Sequence, residues 1–287
     1  MDGSAEAQRA RRTGLAAAGP DGTSSGQTAA SPSWQRVLAG FETVTLDQIA
    51  DTALSDRIDT KFVMSQADVF AVLESLAADY RVLDIDGLRF TGYRTQYFDT
   101  EDFALFRRHH AAGSHRYKVR TRTYLNTQQS FIEVKSKTKA DATVKVRQRI
   151  PAFQTEITGD SAAFVDEHFP PGSSVLRPAL LNGFDRISLL GNGVPERLTI
   201  DLDIATSTND TVVPLPNVAV AELKQQRRGG HRRESQFLKH MRSMNIRATG
   251  FSKYCMCLLM TRRDLKHNRF KPQLRRLERL MGEPHAD

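Results

Sequence analysis

The chain has 287 residues, with 41 Lys plus Arg against 33 Asp plus Glu, giving a formal net charge of +8 and a pI near 9.6. Its 39% hydrophobic and 26% charged content excludes a wholly disordered chain and allows one large domain or two small ones. Two cysteines, Cys255 and Cys257, make neither a disulfide framework nor a zinc site, and the longest apolar run, Tyr254 to Met260, falls well short of the ~20 residues of a bilayer span. The N-terminus lacks an apolar signal segment, so a soluble, cytoplasmic protein is expected, with a charge that suits a polyanionic partner.

Residues 1–33 are dominated by Gly, Ser, Ala, Thr and Pro and read as a disordered leader, followed by a body over 34–260 and a basic tail over 261–287. Helical spacing begins at Trp34 with Val37, Leu38 and Phe41. Thr45 caps a short helix through Leu46 and Ile49, and Ser65 caps another whose apolar face is Val69, Val72, Leu73 and Leu76. Period-two alternation then predicts strands over Arg57–Met64, Arg81–Ile85, Leu88–Phe98, Arg116–Tyr124, Ser130–Lys137, Ala142–Ile150, Leu180–Leu189, Arg197–Ala205 and Val218–Gln225. Gly87, Gly113, residues 126–129 and Asp141 punctuate them. Further helices are expected over Ser161–His168, over Glu234–Met244 after the Gly229-Gly230 turn, and from Phe251 into the tail. So many short strands predict an α+β fold: a closed antiparallel β-barrel of about eight strands with helices packed outside.

The strand faces carry the chemistry. Arg116, Lys118, Arg120 and Arg122 share one face; Glu133, Lys135 and Lys137 share another; Lys145, Arg147 and Arg149 a third. Arg57, Asp59 and Lys61 lie together, as do Asp201 and Asp203, and Glu222 and Lys224. Such faces are ordinary on a half-solvated sheet. Rows of one sign on neighbouring strands, however, repel one another, and a face that wraps a polyanion is the arrangement that needs them. Turned inward, they make a cationic tunnel in which Arg grips phosphate with its planar fork and Lys acts as a point charge. Glu222 among these cations fits either a divalent metal ligand or a salt bridge to Lys224 or a nearby Arg. His109 and His110 beside Arg107 and Arg108 read as an exposed helix end; Tyr93, Tyr97 and Phe98 as packing residues; the two cysteines as small buried hydrophobes.

The collinear series Arg57-Ile-Asp-Thr-Lys61, Tyr97-Phe-Asp-Thr100, Lys118-Val-Arg-Thr-Arg-Thr-Tyr124, Phe131-Ile-Glu-Val-Lys-Ser-Lys137, Lys145-Val-Arg147, Phe184-Asp-Arg186, Arg197-Leu-Thr-Ile-Asp201, Ala221-Glu-Leu-Lys224 and Phe251-Ser-Lys-Tyr254 resembles the vacuolar transporter chaperone (VTC) domain. That domain is the polyphosphate polymerase branch of the triphosphate tunnel metalloenzymes, relatives of the CYTH phosphatases. The resemblance implies transfer of the γ-phosphate of ATP to inorganic polyphosphate with Mn²⁺ or Mg²⁺. It assigns Lys61, Arg120, Arg122, Lys135, Lys145, Arg147 and Arg186 to the reacting phosphates, Lys118, Lys137, Arg197, Lys224 and Lys253 to substrate binding, and Glu222 to the metal. The hydrolytic branch carries Glu-x-Glu-x-Lys where this chain has Arg57, Asp59 and Lys61, which argues against a CYTH-type hydrolase. Two rivals remain open: hydrolysis of tripolyphosphate or a nucleoside triphosphate on the same fold, and a non-enzymatic polyanion-binding module. The tail, where Lys plus Arg number 8 against 4 Asp plus Glu, is a candidate for an acidic membrane surface or other polyanion. No phosphate loop, nucleophile triad or RNA-recognition signature occurs, and no specific nucleic acid is expected.

Overall fold

The computed structural model describes residues 32–51, 57–113, 115–137, 143–208, 211–226 and 234–282. The leader, Ala142, Asp141 and Gly229-Gly230 lie outside these residues, apart from the leader's last two positions. Along the chain run α1 (Pro32–Ala39), β1 (Glu42–Val44), α2 (Leu46–Asp51), β2 (Arg57–Ser65), α3 (Gln66–Leu76), β3 (Tyr80–Leu83), β4 (Thr91–Thr100) and α4 (Ala104–His110). Then come β5 (Arg116–Tyr124), β6 (Gln129–Lys137), β7 (Thr143–Ile150), α5 (Asp160–His168), β8 (Leu176–Gly191), β9 (Glu196–Thr208), β10 (Thr211–Pro214) and β11 (Val218–Gln226). The chain ends in α6 (Gln236–Ser243), α7 (Lys253–Thr261) and α8 (Lys271–Gly282).

The α+β architecture is as expected, and most strands fall where alternation put them. Three differences from that expectation appear. Asp86 and Gly87 both take positive φ, 54° and 82°, and Ile85 bridges Leu88 across them, so Leu88 closes a tight two-residue turn and β4 starts only at Thr91. Strand β8 runs 16 residues, through Pro178, Asn182 and Gly183. Strands β1 and β10 are additional, and β1 pairs with β3 in parallel.

The main ladder follows the order β2-β11-β9-β8-β4-β5-β6-β7. Its junctions are antiparallel. Among the described residues no backbone pairing joins β7 to β2, so hydrogen bonds do not close the barrel. Curvature brings the two halves together instead: Lys61 on β2 and Glu222 on β11 both act electrostatically on Lys135 of β6. Bulges at Gly183/Asp185 and Tyr97/Phe98 add to the bending. The open edge of β2 is covered rather than paired, because Thr249 N–H donates to the Lys61 carbonyl (2.8 Å) and Arg276 Nε to that of Val63 (2.9 Å).

Alternation sorts the residues of each strand between two environments. On β11, Ala219, Ala221 and Leu223 face one apolar core together with Phe62, Met64, Leu198, Ile200 and residues of α3 and α6. Helix α3 is fixed there by a capping box between Ser65 and Asp68 and buries Val69, Val72, Leu73 and Leu76. Val119, Ile132, Val134 and Ile150 pack with Phe164 and Val165 of α5. The other face of the sheet carries the charges. One part of it is covered by α7 and α8, whose Tyr254, Leu258, Leu274 and Leu277 pack with Val63, Tyr93, Tyr97, Leu180, Phe184 and Val220.

Candidate functional site

Register places the predicted cations on a single face. Lys118, Lys135 and Lys145 stand directly opposite one another on β5, β6 and β7, and Arg120, Glu133 and Arg147 form the next row. Across the sheet, Arg186 opposes Asp201, Glu222 opposes both Lys61 and Thr199, and Lys224 opposes Arg197. Lys253 joins from the first turn of α7. These side chains therefore line one concave surface drawn from β2, β5, β6, β7, β8, β9 and β11, with α7 at its covered part.

Three carboxylates organise the cations, each gripping two of them. Glu133, buried on β6, accepts from Arg120 Nε (2.6 Å) and pairs with Lys145 Nζ at 2.5 Å. Asp201, buried on β9, accepts a bidentate pair from Arg186 (Nε 2.6 Å, Nη2 2.8 Å) and a third bond from Lys253. Glu222 bonds Lys61 and pairs with Lys224 at 3.3 Å. Burial alone pushes a carboxyl pKa upward, but here the adjoining cations outweigh it. Asp201 is held at about 2 by Arg186 and Lys253. Glu133 is held well below the usual carboxylate range by Arg120, Arg122 and Lys145, and Glu222 by Lys224 and Lys61.

Cations remain in excess. Lys118 donates to Ser252 Oγ (2.9 Å), and burial followed by neighbouring cations brings its pKa down to about 8, despite an opposing contribution from Cys255. Lys135 is lowered by burial and by Lys118 and Lys61, and has no ion pair among the described residues. Arg122 spends its Nε on Thr95 Oγ1 (3.1 Å), and the buried Nε of Arg197 has no hydrogen-bond partner. An aromatic floor supports the guanidinium groups: Arg186 lies 4.9 Å over the Tyr93 ring, Arg122 5.1 Å over the same ring, and Lys253 4.6 Å over Phe184. Donors outnumber acceptors, and the excess positive charge of the surface suits a multiply charged anion.

The sequence-derived residues do not all converge equally. Lys61, Lys118, Arg120, Arg122, Arg186, Arg197, Lys224 and Lys253 are at least partly buried, whereas Lys135 on β6 and Lys145 and Arg147 on the edge strand β7 are exposed. Lys137 sits at the end of β6 opposite Arg116. Glu222 makes the salt bridges that were the alternative to metal ligation. Among the described residues no three His, Cys, Asp or Glu side chains come together, and Glu222 is paired with two ammonium groups, so a divalent ion would be held here by Glu222 together with the phosphate oxygens of a bound substrate. Two carboxylates of this cluster, Glu133 and Asp201, were given no role from the sequence. Their signal was their membership of the same alternating rows as the cations.

His109 corrects an expectation. It is half-buried rather than exposed, its ring meets the Tyr117 carbonyl at 3.3 Å, and burial with Lys118 and Arg116 pushes its pKa down to about 3. His110 is also half-buried, accepting from Arg269 N–H (3.3 Å). Tyr93, Tyr97, Phe98, Cys255 and Cys257 are buried, as expected.

Residues 56–169 match the family model of the VTC domain, a span that holds the motifs from Arg57 to Arg147. No curated protein matches the chain. Among solved structures, a protein of Bacillus halodurans described as a candidate adenylate cyclase is similar at 15% identity and TM-score 0.43, over 69% of this chain and 94% of its own. A candidate adenylyl cyclase from Hippeastrum, described as having a dominant triphosphatase activity, gives 13% identity and TM-score 0.41 over 70% and 94%. A conserved hypothetical protein of Pyrococcus furiosus gives 12% and 0.35 over 66% and 86%. Among the described residues no helix is long and apolar enough to cross a membrane.

Proposed function

We propose that this protein is a phosphotransferase of the polyphosphate polymerase type, which holds the triphosphate of ATP on its concave cationic face and passes the γ-phosphoryl group to a phosphate chain. One observation carries the reading: cations from seven strands and one helix converge on a single face around three carboxylates that are already neutralised. The seat of the triphosphate would be Lys61, Arg120, Arg122, Lys135 and Arg186, with Lys118, Arg197, Lys224 and Lys253 completing its neutralisation.

The reaction asks little covalent chemistry of the protein. A terminal oxygen of the chain attacks the γ-phosphorus, the bond from that phosphorus to the β,γ-bridging oxygen breaks, and ADP leaves with the electron pair. The attacking oxygen is already anionic, so no proton has to be removed, and positioning plus charge neutralisation supply the rate. This favours transfer over hydrolysis. Activating water calls for a base poised near neutrality, and the three carboxylates are all clamped and held in their ionised, weakly basic form.

Incubating the purified chain with ATP, a short polyphosphate primer and Mn²⁺ or Mg²⁺ tests the proposal. Lengthening of the primer with matching release of ADP is expected. Orthophosphate as the only product would transfer the assignment to a hydrolase, and tight binding with no turnover would leave a polyanion-binding module.

A further inference from the structure

The concave face does not end where its walls end. On β7, residues 143–145, 147 and 149 are exposed, and the Lys145 side chain keeps 40% of its surface in water while those of Arg120, Arg186 and Lys253 keep 19%, 17% and 13%. Lys145, Arg147 and Arg149 nevertheless point to the same side of the sheet as the enclosed cations, opposite Lys135, Glu133 and Phe131 respectively. Alternate residues of a strand are about 6.7 Å apart, so the three form a straight row about 13 Å long.

We propose that this row is the seat of the acceptor polyphosphate chain, separate from the enclosed seat of the triphosphate; the inference rests on the phosphoryl-transfer reading above. Arg147 and Arg149 have neither a hydrogen bond nor an ion pair among the described residues, and the Arg147 guanidinium is laid flat over the Phe131 ring at 4.7 Å. Charges on an edge strand can serve simply to prevent strand addition. That task needs neither one sign nor one face, and the other face of β7 carries Val144, half exposed, with Val146 and Ile150. A chain of unlimited length needs a track without a wall, and among the described residues β7 is the unpaired end of the ladder, away from the part covered by α7. Lys145 links the two seats, because the Glu133 that holds it also holds Arg120 on the enclosed side.

The test compares tripolyphosphate with a polyphosphate of several tens of residues by calorimetry at fixed ionic strength, for the full chain and for Arg149→Gln and Arg147→Gln/Arg149→Gln. The ratio of long-chain to tripolyphosphate affinity should fall roughly tenfold in the double variant, with a shallower dependence on salt. In the primed reaction the half-saturating primer concentration should rise by a similar factor against that of ATP. An unchanged affinity ratio overturns the subsite. Failure of the unaltered protein to make polyphosphate would count against the polymerase reading alone, since the affinity ratio decides the subsite without turnover.

Discussion

Lys118, Lys135 and Lys145 stand side by side across three strands, an arrangement that raises the energy of the ligand-free protein. Burial, reinforced by neighbouring cations, brings Lys118 and Lys145 down to about 8, although Glu133 works the other way on Lys145. The protonated forms are the ones that hold phosphate. Affinity for tripolyphosphate should therefore be level up to about pH 7 and fall above pH 8, reaching roughly a tenfold loss by pH 9 as the Lys118 ammonium discharges. Stability of the free protein runs the opposite way. Between the folded values near 8 and the ordinary lysine value of 10.5 the unfolded chain binds more protons, so these lysines make folding more favourable as pH rises through that window. Calorimetric titrations at pH 6, 7, 8 and 9 read the first effect directly. An affinity unchanged from pH 7 to 9 would show that the Lys118 ammonium does not meet the ligand.

At the scale of elements, local chemistry was legible wherever one residue type forces one conformation. Ser65 and Asp68 form the capping box that starts α3, with Asp68 N–H donating to Ser65 Oγ at 3.0 Å and Ser65 N–H to Asp68 Oδ2 at 3.1 Å. Ser65→Ala should cost about 1 kcal/mol in a urea titration, because α3 is already held by four buried residues and loses only its cap; a cost near zero would mean that packing alone defines the start. Asp86-Gly87 was likewise a turn signal in plain view, yet the alternation of Leu88 and Phe90 suggested a longer strand. Illegible features were those set by partners distant in the chain. The length of β8 depends on pairing with β3, β4 and β9 at once, which lets Pro178 and Gly183 sit inside a strand. Asp203 takes φ 48° where the β8–β9 register slips, so its place in the row with Asp201 could not follow from alternation.

For the whole molecule, the candidate site was largely present in the sequence as rows of like charge, because strand alternation converts spacing directly into a face. What alternation could not supply was the pairing of those rows: that Asp201 binds Arg186 from one strand and Lys253 from a helix, or that β2 curls toward β6. Composition also suggested a boundary at residue 260. The segment beyond it reads as a basic helical tail, and Lys271, Arg275 and Arg279 do form an exposed row on α8. Its opposite face is structural. Leu265, Leu274, Leu277 and Leu280 are at most 9% exposed, Arg276 covers the β2 edge, and the Leu280 carbonyl accepts from buried Asn217 Nδ2 at 3.0 Å. Burying one leucine is worth about 2 kcal/mol, so four approach the whole stability of a typical domain, about 5–15 kcal/mol. Ending the chain after Met260 should thus lower the thermal midpoint by more than about 10 °C or abolish the cooperative transition, whereas replacing Lys271, Arg275 and Arg279 by Gln should leave that midpoint nearly unchanged. A truncated protein that melts with the full chain would make residues 261–287 an appendage. If it unfolds as expected, the C-terminal leucines are part of what holds the cationic face in its curved form.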